Sequence, residues 1–108
     1  MKVAGYIKVT IVFEQLPDRW TVQCVELGTA TFGKTLEDAK AKIMDAILCH
    51  LNTLDELGET EYFFKKHGIK YYEQKPKEKR ETVTTSLSDN ILVQKRLQRI
   101  PVFAHAHA

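Results

Sequence analysis

Residues 20–57 read WTVQCVELGTATFGKTLEDAKAKIMDAILCHLNTLDEL, and their punctuation decides the fold. Residues 20–26 are rich in aromatic and β-branched side chains, which predicts a strand. Gly28 breaks it, residues 29–32 make a short further strand, and Gly33 ends that one. Thr35 then opens a helix: its hydroxyl is placed to accept the Asp38 N–H, and the Asp38 carboxylate can reach back, an acidic variant of the capping box. Glu37 and Asp38 suit the positive end of the helix dipole. At about 100° per residue, Leu36, Ala39, Ile43, Ala46, Ile47, Leu51, Leu54 and Leu57 fall in one stripe, and Gly58 stands where a C-terminal cap belongs. Such a helix must lay its stripe on a sheet.

Residues 6–13 supply the first strand of that sheet. Ile7, Val9, Ile11 and Phe13 alternate with Tyr6, Lys8, Thr10 and Val12, the period of a strand with one face on a core. Leu16, Pro17, Asp18 and Arg19 provide the turn into the next strand. After the long helix, residues 59–66 predict a short second helix stopped at Gly68, and residues 69–72 a short extended piece. Residues 82–87 are β-prone and residues 88–90 a turn. Residues 91–102 fit either period locally. The strand is preferred there, because a helix of about three turns is marginal in isolation, whereas a strand satisfies a whole row of backbone groups beside residues 6–13. Pro101 falls near its end, where a missing donor is tolerated.

The 108 residues suffice for one domain with a real core. Charge is unevenly spread: residues 1–73 hold 9 Lys/Arg and 11 Asp/Glu, net −2, and residues 74–108 hold 7 and 3, net +4, giving the overall +2. That balance excludes a protein built purely to coat nucleic acid. The expected organisation is a core over residues 1–73, a polar linker over 74–82, and a C-terminal arm over 83–108 that completes the same domain. No apolar run approaches the roughly 18 residues of a membrane span, and the expectation is a soluble, cytoplasmic protein without disulfides, Cys24 and Cys49 being two buried free thiols.

No constellation predicts catalysis. GxSxG, Walker, GxGxxG and HExxH motifs do not occur. His50 falls inside the apolar stripe and reads as a packed, hydrogen-bonded residue; His67 near a helix end suits the dipole. His105 and His107 make a weak tail pair rather than a metal site. No catalytic residue, metal ligand or cofactor is therefore expected. Two basic groups, Lys75, Lys77, Lys79 and Arg80 in the linker and Lys95, Arg96 and Arg99 beyond it, are the candidates for contact with a partner or with phosphates.

The central stretch resembles the HicB-like antitoxin family, whose hallmark is a strand of the form vAxCPELg, a short strand, and GxTxEEA leading into a long helix. The matching residues are Cys24, Glu26, Leu27 and Gly28, then Gly33, Thr35, Glu37, Asp38 and Ala39, with Val25 where the family usually has proline. Residues 6–13 look like the family's first strand and residues 91–102 like its last. The resemblance implies an α+β, partially degraded RNase H-like fold: three antiparallel strands, a long helix, a short second helix, and a C-terminal strand beside the first. It further implies a non-catalytic antitoxin that binds a HicA-like, mRNA-cleaving toxin. A homodimer or higher homo-oligomer is expected as well, because the linker lets the last strand reach its own sheet or a neighbour's.

Overall fold

The structure, a computed structural model, describes residues 3–77 and 82–103. It is an α+β fold of six antiparallel strands and two helices. In chain order these are β1 (Val3–Gln15), β2 (Trp20–Cys24), β3 (Thr29–Gly33), α1 (Leu36–Leu57), α2 (Thr60–Lys66), β4 (Tyr71–Tyr72), β5 (Thr82–Ser88) and β6 (Ile91–Pro101). The sheet runs β3-β2-β1-β6-β5, with β4 added to β1.

β1 is the axis. Along one edge it pairs with β2 from Ile11↔Cys24 to Gln15↔Trp20 and with β4 through Tyr6↔Tyr72 and Ile7↔Tyr71. Along the other it pairs with β6 from Glu14↔Ile91 to Val3↔Pro101. The alternation read in residues 6–13 is therefore real: Ile7, Val9, Ile11 and Phe13 are at most 1% exposed. The expected C-terminal strand lies beside β1. The sheet exceeds the expected four strands, however, because β5 folds back on β6 as a hairpin and β4 fills a short gap on β1. Residues 74–77 carry no regular structure, β5 already begins at Thr82, and the linker residues 78–81 lie outside the described residues.

Helix α1 has the caps its sequence specifies. Asp38 N–H donates to Thr35 Oγ1 at 3.0 Å, and the Asp38 carboxylate reaches back one residue further than expected, to Lys34 N–H at 3.1 Å. At the other end Gly58 adopts φ 68°, and the N–H groups of Gly58 and Glu59 donate to Asp55 and Leu54 carbonyls, the paired bonds of a Schellman cap. Ala39, Ile43, Ile47, Leu51 and Leu54 are buried. Leu57 is 63% exposed, because a helix of 22 residues is about 33 Å long and overshoots the five-residue strands beneath it. Helix α2 takes over there, burying Phe64. Cys49 is exposed, contrary to the expectation of two buried thiols, and Cys24 is buried; both are free. The reason is angular: Cys49 lies about 200° around the helix from Ile47.

Gly33 and the start of α1 make a close backbone-to-backbone approach. A Cβ at Gly33 would overlap the Ala39 amide nitrogen and stand 2.9 Å from the Ala39 Cα, and neither backbone can yield while Ala39 is 0% exposed. Gly33→Ala should therefore cost roughly 2–3 kcal/mol, seen as a drop of about 10–15 °C in Tm. Lys34→Ala, at the exposed neighbour, should leave stability within about 0.5 kcal/mol. Equal thermal unfolding of both variants would show that the contact is slack.

Candidate functional site

The residues of the stretch from Cys24 to Ala39 build junctions between elements. β2 stops at Cys24, two residues earlier than expected, because Val25 to Gly28 turn: Gly28 N–H donates to the Cys24 carbonyl at 3.0 Å, with Gly28 at φ 67°. The turn carries Glu26 back to β1. Its carboxylate accepts the Thr10 N–H at 2.6 Å and the Thr10 hydroxyl at 2.9 Å, where β2 no longer pairs with β1. Glu26 thus stands in for a missing strand residue. The Cys24 side chain is fully buried, and burial pushes its thiol pKa up, the opposite of what a nucleophile needs. Glu37 is exposed and pairs with Lys40 at 3.5 Å. Among the described residues, no group of three or more His, Cys, Asp or Glu side chains is placed to hold a metal ion.

The basic residues do not form one patch. Lys75 and Lys77 are exposed after β4, and Lys79 and Arg80 lie outside the described residues. On β6, strand alternation separates the rest. Lys95 and Arg99, opposite Thr10 and Tyr6, belong to the sheet face away from α1, whereas Arg96, opposite the buried Val9, faces the helix. Arg96 Nη1 donates to Met44 Sδ at 2.8 Å, its Nε has no partner, and burial lowers its pKa. Lys8 and Lys70 join Lys95 and Arg99 on the open face. Their ammonium groups lie 5.5 and 5.4 Å from the Tyr72 ring, and Tyr72 pairs directly with Tyr6.

A concavity that no local pattern announces opens at the far end of α1. It has a volume of about 690 Å³ and lies where the last turns of α1, helix α2 and the end of β6 converge. Leu51, Phe64, Ile69 and Ile100 make an apolar floor, and Asp55, Glu61 and Glu73 make a rim with Lys65 as its cation. The Thr60 hydroxyl, also lining it, is buried without a partner. Its walls run from Ala4 to Phe103 in the chain, and the pairing of β1 with β4 and β6 helps to bring them together. The arrangement suits an apolar side chain flanked by positive charge.

Beside this concavity, α1 and α2 are joined by a ring stack. His50 Nδ1 is 2.9 Å from Thr29 Oγ1, and its ring meets Phe63 edge-on at 5.1 Å, while the His67 ring lies 4.2 Å from Phe63. His50 is thus the packed, hydrogen-bonded residue expected. Burial, and then the charge of His67, lower its pKa below the usual 6.5.

No family model matches this chain, and neither a curated protein nor a solved structure matches it.

A pH dependence follows from His50. Because the folded state disfavours the imidazolium, the unfolded chain binds the extra proton more readily below pH 6.5. The stabilising contribution is complete above that pH and is lost as pH falls through the lowered folded value. Thermal melts should show Tm falling on acidification from about pH 7.5 to pH 5.5, and falling less in His50→Gln. Parallel profiles for the two proteins would remove His50 from the account.

Proposed function

We propose that this chain is a non-catalytic, HicB-like antitoxin that binds and neutralises a HicA-like, mRNA-cleaving toxin in the cytoplasm. The observation that carries the reading is the order of the strands around β1. Three antiparallel strands, a long capped helix and a later strand beside the first are the elements, in chain order, that the central motif implies, with that last strand running antiparallel to β1. Glu26, Gly33, Thr35 and Ala39 occupy the junctions that this architecture requires.

The partner surface is the acidic-rimmed concavity. A toxin that grips RNA must be basic, and the rim carboxylates Asp55, Glu61 and Glu73 around an apolar floor offer opposite charge for steering and a pocket for an anchoring side chain. The protein should be co-expressed with the small basic protein encoded by a neighbouring reading frame. The two should co-purify, and RNA cleavage by the partner should be suppressed. Asp55→Lys together with Glu61→Lys should weaken the complex at least about tenfold. A neighbour that neither binds nor is inhibited would overturn the reading.

One observation favours a second reading, an oligomeric HicB-like module without a toxin that binds nucleic acid through the basic C-terminal region. Lys95 and Arg99 share the open sheet face with Lys8, Lys70 and the Tyr6–Tyr72 pair, and cations around aromatic rings on an open sheet suit single strands. Binding to a single-stranded oligonucleotide should then fall steeply with salt, with a log–log slope near −0.7 per phosphate contact, and should be weaker in Lys95→Ala/Arg99→Ala. No binding at low salt would dismiss it.

A further inference from the structure

The sheet ends on two edges that differ sharply. The β3 edge is five residues long and guarded by cations, since Arg19 and Lys42 lie 5.1 and 5.6 Å from the Phe32 ring. The β5 edge has seven residues, TVTTSLS, with no charge and no proline. Among the described residues only its inner side is paired, to β6 from Thr82↔Arg96 to Ser88↔Ile91. Val83 and Leu87 are 45% and 67% exposed. An irregularity between Ser86 and Ser88 leaves Leu87, near the turn, as an extra residue without a β6 partner, and there the Ser86 hydroxyl donates to the Ser88 carbonyl. An uncharged edge with unpaired backbone groups is a template for another strand.

We propose that the occupant of the β5 edge is the β5 edge of a second copy of this chain, paired antiparallel about a twofold axis through Thr85. The sequence is complementary to itself in that register. Thr85 meets Thr85 of the second copy, Thr84 meets Ser86, and Val83 meets Leu87, so the exposed apolar residues cover each other and the hydroxyl residues pair with hydroxyl residues. A twofold axis brings every charge near it against its own image. The absence of charge in these seven residues is what allows the pairing. The two sheets then join into one, and a single pair of edges buries less than about 1,200 Å², the small end of specific interfaces. The dimer is accordingly dissociable. It stands independently of the antitoxin reading, since it uses the opposite end of the sheet from β3 and no residue of the acidic rim.

Light scattering on the full chain over a concentration series tests it. At about 100 µM the mass should approach twice the 12.4 kDa of one chain, and it should fall towards one chain on dilution. Val83→Glu alone and Leu87→Lys alone should each raise the dissociation constant at least about tenfold, while thermal unfolding confirms that both variants fold. The double variant, Val83→Glu with Leu87→Lys, should restore the dimer, because the register sets the new carboxylate against the new ammonium of the other copy. A monomeric native chain, a dimer indifferent to both single substitutions, a double variant that fails to recover, or an assembly larger than two chains would each overturn the proposal.

Discussion

Everything in this molecule hangs on the pairing of β1 along both of its edges. A strand buried on one face and hydrogen-bonded on both sides has no tolerance for slippage, since a shift of one residue would turn Ile7, Val9, Ile11 and Phe13 out of the core. Each such side chain contributes on the order of 1.5–3 kcal/mol when buried, so register carries a large share of a marginal total. β2 and β4 fill one edge and β6 the other. The gap between β2 and β4 is closed by the Glu26 carboxylate at Thr10, and at Gly5 the Tyr71 ring packs where a Cβ would stand, its hydroxyl donating to the Ala4 carbonyl at 2.6 Å. Both are side-chain substitutes for sheet, needed because the chain leaves β1 to build the helical layer.

The candidate surfaces follow from the same constraint. With α1 placed by the Gly33–Ala39 contact over β2 and β3, its last turns overhang the sheet. The overhang, α2 and the end of β6 enclose the acidic-rimmed concavity. Among the described residues no helix covers the opposite face of the sheet, where Tyr6, Tyr72 and the nearby cations lie. Both surfaces are positioned by how the strands and helices pack on β1.

Local physical signals in the sequence located most of this architecture. Thr35 and Gly58 mark α1 because capping is decided within a few residues, and the alternation in residues 6–13 marks the buried face of β1. The β6 pairing could be argued only from unsatisfied backbone groups, since its own periodicity is ambiguous. The mixed pattern has a plain cause: the face towards α1 carries Gln94, Arg96 and Gln98, while the buried Leu97 lies on the other face. What the chain does not announce locally is long-range. The return of Glu26 to Thr10, the pairing of β4 with β1, the separation of Arg96 from Lys95 and Arg99, and the concavity all depend on which strands become neighbours. Cys49 was a different matter, since its place away from the stripe was computable from helix geometry.

The dependence of the fold on β1 and β6 together is open to direct measurement by native-state amide hydrogen exchange. If the pairing is the constraint on which the rest depends, the inward amides of β6 and those of β1 from Ile7 to Phe13 should exchange only through global unfolding, with the same opening free energy and the same denaturant dependence. Amides of β6 that exchange through a cheaper, local opening while β1 stays protected would contradict the account, because the C-terminal strand would then be an appendage to a core that stands without it.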